Sequence, residues 1–102
     1  MVLVYTTCQT IDEAKELGRR VLKARVASGV DIWPITTIAI EGEELKELEE
    51  AVLFIRTNEN KLAELEEFLE KRHTHSVPFV AGIDVRRLNR TYREWMSTFI
   101  VR

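Results

Sequence analysis

A single cysteine, Cys8, two histidines and two prolines are all that 102 residues offer of these types. One cysteine cannot form an intrachain disulfide, which excludes a disulfide scaffold and agrees with a reducing compartment. No apolar run approaches the ~20 residues of a bilayer span, and the Met1-Val2-Leu3-Val4 start lacks the basic stretch that opens a signal peptide. The expected location is therefore the cytosol, with no membrane as partner. Charge of one sign is scarce too: 15 Lys and Arg stand against 17 Asp and Glu, for a net charge of −2. With acids and bases mixed along the chain, the overall field gives no reason to expect nucleic acid. There is no Gly-rich phosphate loop, nucleophile elbow, metal-protease spacing or zinc-finger spacing, so no enzyme is expected.

What is present is a globular composition, 45% hydrophobic and 31% charged, and residues 1 to 102 are expected to form one domain around one core. Val2 to Thr7 reads as a first strand buried on both faces. Thr10 with Glu13 resembles a capping box, and Ala14, Leu17, Val21, Leu22 and Val26 recur at helical spacing, with Gly29 placed to end that helix. Ile32 to Ile40 reads as a long strand that is apolar on both faces, and Pro34 calls for a free edge there. Glu41 to Glu44 looks like a turn, while Leu45 to Glu50 reads either as part of a loop or as a short helical piece. Ala51 to Ile55 is a buried strand. Asn58 or Asn60 caps a second helix through Leu62, Leu65, Phe68 and Leu69, Pro78 to Val85 is a fourth strand, and Asn89 opens a last helix carrying Tyr92, Trp95, Met96 and Phe99.

The order β-α-β-β-α-β plus a terminal helix predicts an α+β, ferredoxin-like antiparallel sheet with its helices on one face. Such a sheet leaves its other face wet, so self-association is the expected remedy.

The ordered set Tyr5-Thr6-Thr7, Gly18, Arg25, Ala27, Ile32, Glu50, Ile55-Arg56-Thr57, His73, Val77-Pro78, Asp84-Val85, Asn89, Tyr92 and Trp95 resembles the CutA family of divalent-cation tolerance proteins over essentially the whole chain. The resemblance implies a ferredoxin-like subunit in a homotrimer held by strand pairing, with a shape shared with the PII signalling proteins. It implies a non-enzymatic role in divalent-cation tolerance, with a metal such as Cu(II) bound at subunit clefts. The chain departs from the family at Ile38-Ala39-Ile40-Glu41-Gly42, where an aromatic cluster is usual. It carries Arg56-Thr57 for a lysine-threonine pair and His73-Thr74-His75 for a histidine-proline-tyrosine run. Copper-binding members look to a cysteine at the position of Tyr5 and to histidines at the positions of Arg72 and His73, of which His73 alone remains.

His73, His75 and Cys8 are the candidate metal residues, since imidazole and thiolate are the usual transition-metal donors. In a helix, positions i and i+2 would point apart, whereas an extended chain places both histidines on one side. The competing reading has His73 ending a helix against backbone carbonyls and the dipole, with His75 in the following loop. Cys8 also reads as a small apolar residue. Tyr5, Glu50, Arg56 and Trp95 are candidate cleft or subunit-interface residues, with Glu50 and Arg56 alternatively forming ion pairs that fix register. Two further readings stand beside the cation one. One is a PII-like metabolite sensor that uses Glu41 to Glu50 to contact an unidentified protein partner. The other is a structural scaffold.

Overall fold

The computed structural model describes residues 1 to 73 and 75 to 100. Its elements are β1 Val2–Cys8, α1 Ile11–Lys23, β2 Gly29–Glu41, β3 Glu44–Thr57, a 3-10 turn Glu59–Lys61, α2 Leu62–Arg72, β4 Val80–Asp84 and α3 Arg90–Phe99. The strands form one antiparallel sheet in the order β2-β3-β1-β4. This is the expected ferredoxin-like arrangement. β2 lies at an edge, where the missing N–H of Pro34 leaves no ladder donor wanting.

α1 forms because its apolar residues share one face and its first turn is capped. The Glu13 N–H donates to Thr10 Oγ1 at 3.1 Å, and Glu13 Oε2 accepts from the Gln9 N–H at 3.1 Å. Asp12 and Glu13 sit at the positive end of the helix dipole, Arg20 and Lys23 at the negative end. Thr10→Ala is expected to cost about 1 kcal/mol of unfolding free energy, read by urea denaturation at fixed protein concentration. An unchanged midpoint and slope would show the cap to be idle.

Gly29 does not end this helix. The helix stops at Lys23, and Arg25 takes the left-handed conformation at φ 59, its N–H bonded to the Leu22 carbonyl at 3.1 Å. Its guanidinium lies over the Phe99 ring, 5.0 Å from the centroid, so a cation–π contact favours arginine where glycine is the usual choice. Val26 and Ala27 then enter the core fully buried, and Gly29 becomes the first residue of β2.

Leu45 to Glu50 is neither loop nor helix, because these residues form the first half of β3 and pair with Ile35 to Ile40. Between them, Gly42 at φ +65 turns the chain in two residues, with Glu41 opposite Glu44. Glu43 has no positive φ, so the geometry is that of a type II′ turn. β1 meets β3 only at residues 51 to 57. Residues 44 to 50 therefore pair with β2 alone and form a two-stranded arm, which carries exposed Ile38, Ile40, Leu45 and Leu48. The fourth strand is shorter than Pro78 to Val85 and covers Val80–Asp84.

One face of the sheet packs against the helices. Val2, Val4, Thr6 and Cys8 of β1 stand opposite Thr57, Ile55, Leu53 and Ala51 of β3, all buried, while Leu3, Tyr5 and Thr7 on the other side stay partly exposed, so β1 is fully buried on one face and not on both. Ala14, Leu17 and Val21 of α1 and Leu65 and Leu69 of α2 close over them. A Cβ on Gly18 would come within 3.1 Å of Val30 Cγ2, so glycine lets α1 approach β2 closely. Thr57 buries its hydroxyl by donating to the Val26 carbonyl at 2.6 Å. The opposite face carries Tyr5, Trp33, Phe54 and Phe79 in edge-on contacts with centroids 5.8 to 6.3 Å apart. Trp33, Phe79 and Ile83 remain exposed there.

Candidate functional site

The end of β1 brings the candidate metal residues near one another. Cys8 pairs with Ala51, so Glu50 sits one residue past the last β1 rung. The chain leaves α2 at His73, whose ψ of 143 is extended. That conformation stacks the His73 and His75 rings at 4.9 Å between centroids and 30° between planes. The two rings therefore lie on one side, and the arrangement in which they point apart is excluded. Thr74, between them, lies outside the described residues.

His73 spends both ring nitrogens within the fold. Its Nδ1 accepts from the His75 N–H at 3.2 Å, which puts the proton of the neutral ring on Nε2 and aims it at Thr6 Oγ1, 3.1 Å away. Burial is the main influence lowering its pKa below the usual histidine value. The adjacent His75 acts in the same direction, against Thr7, Glu13 and Glu50. The neutral ring is the form that these bonds require. His73 does end the helix, but its partner is a β1 hydroxyl and not the helix carbonyls.

His75 Nε2 lies 3.0 Å from Glu50 Oε2. It is buried, yet no acceptor or donor among the described residues is aligned to hydrogen-bond it. The contact is close but lacks the directionality of a hydrogen bond. Glu50 is itself buried, 8% exposed. Cys8 stands nearby, its thiol pushed up to about 11 by burial first and by the charges of Glu13 and Glu50 second. A metal taking Cys8 as thiolate would have to displace a proton held far above neutrality. Beside this cluster a cleft of about 360 Å³ opens between the start of α1 and the end of α2, lined by Cys8, Asp12, Glu13, Leu17, Arg72 and His73 among others.

A resident copper or zinc ion calls for three or four donors. Among the described residues no group of three or more His, Cys, Asp or Glu side chains is placed to hold a metal ion. One chain offers His75 Nε2 and the Glu50 carboxylate, and this pair alone does not fit such an ion.

The other sequence candidates lie elsewhere. Arg56 is six residues along β3 from Glu50, roughly 20 Å at strand rise, so one chain does not unite them. Its guanidinium bonds both oxygens of Asp31 at 2.9 and 2.7 Å and reaches Tyr92 Oη at 3.5 Å, contacts that raise its pKa, Tyr92 first. Tyr92 Oη also meets Ser28 Oγ at 3.0 Å. Trp95 stacks on Phe99 and leans on Tyr92, 47% exposed. Tyr5 lies midway along β1 on the aromatic face, opposite Phe54 and Ala81. Asp31 and Ser28 escaped the sequence reading, and Thr6 entered it only within the family-like set and not as a partner of His73. Asp31 and Arg56 are diagonal neighbours across β2 and β3, a relation that only the register reveals.

Architecture and side chains define a ferredoxin-like α+β protein with a long β2-β3 arm and a histidine-glutamate cluster where that arm leaves the sheet. The family model for the CutA1 divalent ion tolerance protein matches residues 2–98, and this chain belongs to that family. It is 31% identical over 102 residues to the divalent-cation tolerance protein CutA of Thermotoga maritima, covering 99% of this chain and 100% of that one. Among solved structures, CutA1 from Oryza sativa superposes with a TM-score of 0.94 at 26% identity, covering 98% of this chain and 93% of its own. The Archaeoglobus fulgidus CutA, described as periplasmic, gives 0.95 at 22% identity, with 99% and 100% covered, which speaks for the fold. The family is defined by divalent-ion tolerance and not by a reaction. Among the described residues no helix is long and apolar enough to cross a membrane.

Proposed function

We propose that this CutA-family protein works as a non-enzymatic homotrimer in the cytosol, taking up a divalent cation such as Cu(II) where the His75–Glu50 end of one copy meets its neighbour. The observation that carries the reading is the buried His75 Nε2, unsatisfied by hydrogen bonding and 3.0 Å from a buried carboxylate. A buried polar nitrogen without a partner is costly, and a cation completed by donors of a second copy would satisfy it. His73, with both its nitrogens engaged, holds the neighbouring ring in place, and the protonated Cys8 walls the cluster. The exposed arm and aromatic face support assembly, since a two-stranded ribbon is marginal alone in water.

Native mass spectrometry of the chelated protein, with Cu(II) or Zn(II) added back, tests this. A mass near three chains of 11.9 kDa, with about one cation per subunit, is expected. His75→Ala and Glu50→Gln should each lower affinity about tenfold or more. Unchanged uptake in both variants would count against the site.

The 360 Å³ cleft beside Cys8 favours a second reading, a PII-like sensor that binds a small metabolite there and presents the arm to a protein partner. A thermal shift with one metabolite and none with cations would favour it over the first.

A further inference from the structure

The two most strongly charged segments of the chain lie at opposite ends of the molecule. Residues 41 to 50, the arm turn and its β3 flank, hold six glutamates and one lysine; residues 86 to 93, the loop after β4 and the start of α3, hold four arginines and no acid. β3 runs from Glu44 in the arm to Thr57, Thr57 pairs with Val2, and Val2 pairs with Asp84 at the close of β4. Arg86 thus follows the sheet end farthest from the arm, in a molecule 47 Å long. Several Debye lengths separate the two segments at physiological salt, so within one chain they do not neutralise each other.

Most of the charge in each segment has no ion pair among the described residues. Arg86, Arg87 and Arg93 are exposed and form no ion pair among the described residues, and Arg90 has only Glu94, at 3.6 Å on an open surface. α3 begins without a side-chain cap bond and without an acid in its first turn, so Arg90 and Arg93 face the positive end of its dipole. In the arm, Glu41 stands directly opposite Glu44, a like-charge pair that destabilises a ladder, and neither these two nor Glu43 and Glu47 have an ion pair among the described residues. Each segment would be relieved by charge of the other's sign, and a second copy of the chain carries it.

We propose that the acidic arm of one copy docks on the Arg86, Arg87, Arg90 and Arg93 surface of the next, a charge lock that fixes the register of the assembly. The inference rests on the trimer reading above. A contact between two different surfaces leaves each copy with one free arm and one free arginine surface until a ring closes, which a trimer does. The exposed Ile38, Ile40 and Leu45 of the same arm supply apolar area, and the charges supply orientation.

Subunit exchange between unlabelled and isotopically labelled trimers, followed by native mass spectrometry, reads the lock. Arg86→Glu with Arg87→Glu is expected to speed exchange about tenfold at low salt, and so is Glu43→Arg with Glu44→Arg. Combining all four changes should return the rate to within about threefold of the parent, because the attraction is restored with its signs exchanged. All four positions are exposed, and far-UV circular dichroism checks that the fold survives. Exchange indifferent to either reversal, or a combined variant as fast as the pairs, overturns the lock while leaving the trimer standing. Tripolyphosphate binding lost in the arginine variant with exchange unchanged would also overturn it, assigning the arginines to an anionic ligand. A monomeric parent would instead remove the trimer reading and the lock with it.

Discussion

Replacing Ile40 and Leu45 together with serine is expected to yield monomers at micromolar concentration, with a solution mass near 11.9 kDa and an unchanged far-UV spectrum. The two residues are cross-strand partners, exposed by 75% and 74% in the single chain. Each apolar side chain of this size contributes about 1.5 to 3 kcal/mol when fully buried, and a trimer would bury the pair in every copy. The core stays out of reach of the change, because β3 joins β1 only from Ala51 onward and the buried cluster lies there. Sedimentation or native mass spectrometry across a dilution series measures the outcome. A trimer as tight as the parent would mean that the arm is not an interface, and both the assembly reading and the charge lock would lose their footing.

Leu53→Ala is expected to lower unfolding free energy by about 2 to 5 kcal/mol, the range for emptying a buried leucine site in a packed core. Leu53 is fully buried on the strand at the centre of the sheet, between Thr6 of β1 and Ile32 of β2. Its Cδ1 lies 3.4 Å from where a Gly18 Cβ would stand, so it fills the seam where α1 comes closest. Leu48→Ala, half-exposed on the arm of the same strand, should cost the isolated chain less than about 1 kcal/mol. Denaturation at matched protein concentration separates the two, since assembly adds a concentration-dependent term. Equal losses at both positions would contradict the division of β3 into a core half and an arm half.

How far the chain could be read in advance depended on how local each signal was. α1 announced itself by apolar spacing and by Thr10 and Glu13, because capping is settled within four residues. Its end was misplaced because the left-handed residue is Arg25, held by a ring some seventy positions away, and a search for glycine passes over it. Leu45 to Glu50 is rich in good helix formers with leucines three apart, and local propensity alone leaves it open to helix. Pairing with Ile35 to Ile40 decides it, and that is a tertiary contact. The histidines were visible as residues, but their partners were not. Thr6 lies 67 positions from His73, and nothing in residues 71 to 78 points to it.

The order of the elements, the helical spacing of α1 and the ordered residues that resemble the CutA family are legible in the sequence alone. These follow from side-chain periods of 2.0 and 3.6 and from short-range capping, which chain connectivity fixes. That Glu50 joins His75 and Cys8 while Arg56 joins Asp31 and Tyr92, and that the arm glutamates and the Arg86 to Arg93 surface lie toward opposite ends of a molecule 47 Å long, came from the tertiary arrangement alone. Register and strand order make those choices. They are set by burying one continuous core, a property of the whole chain at once and not of any stretch within it.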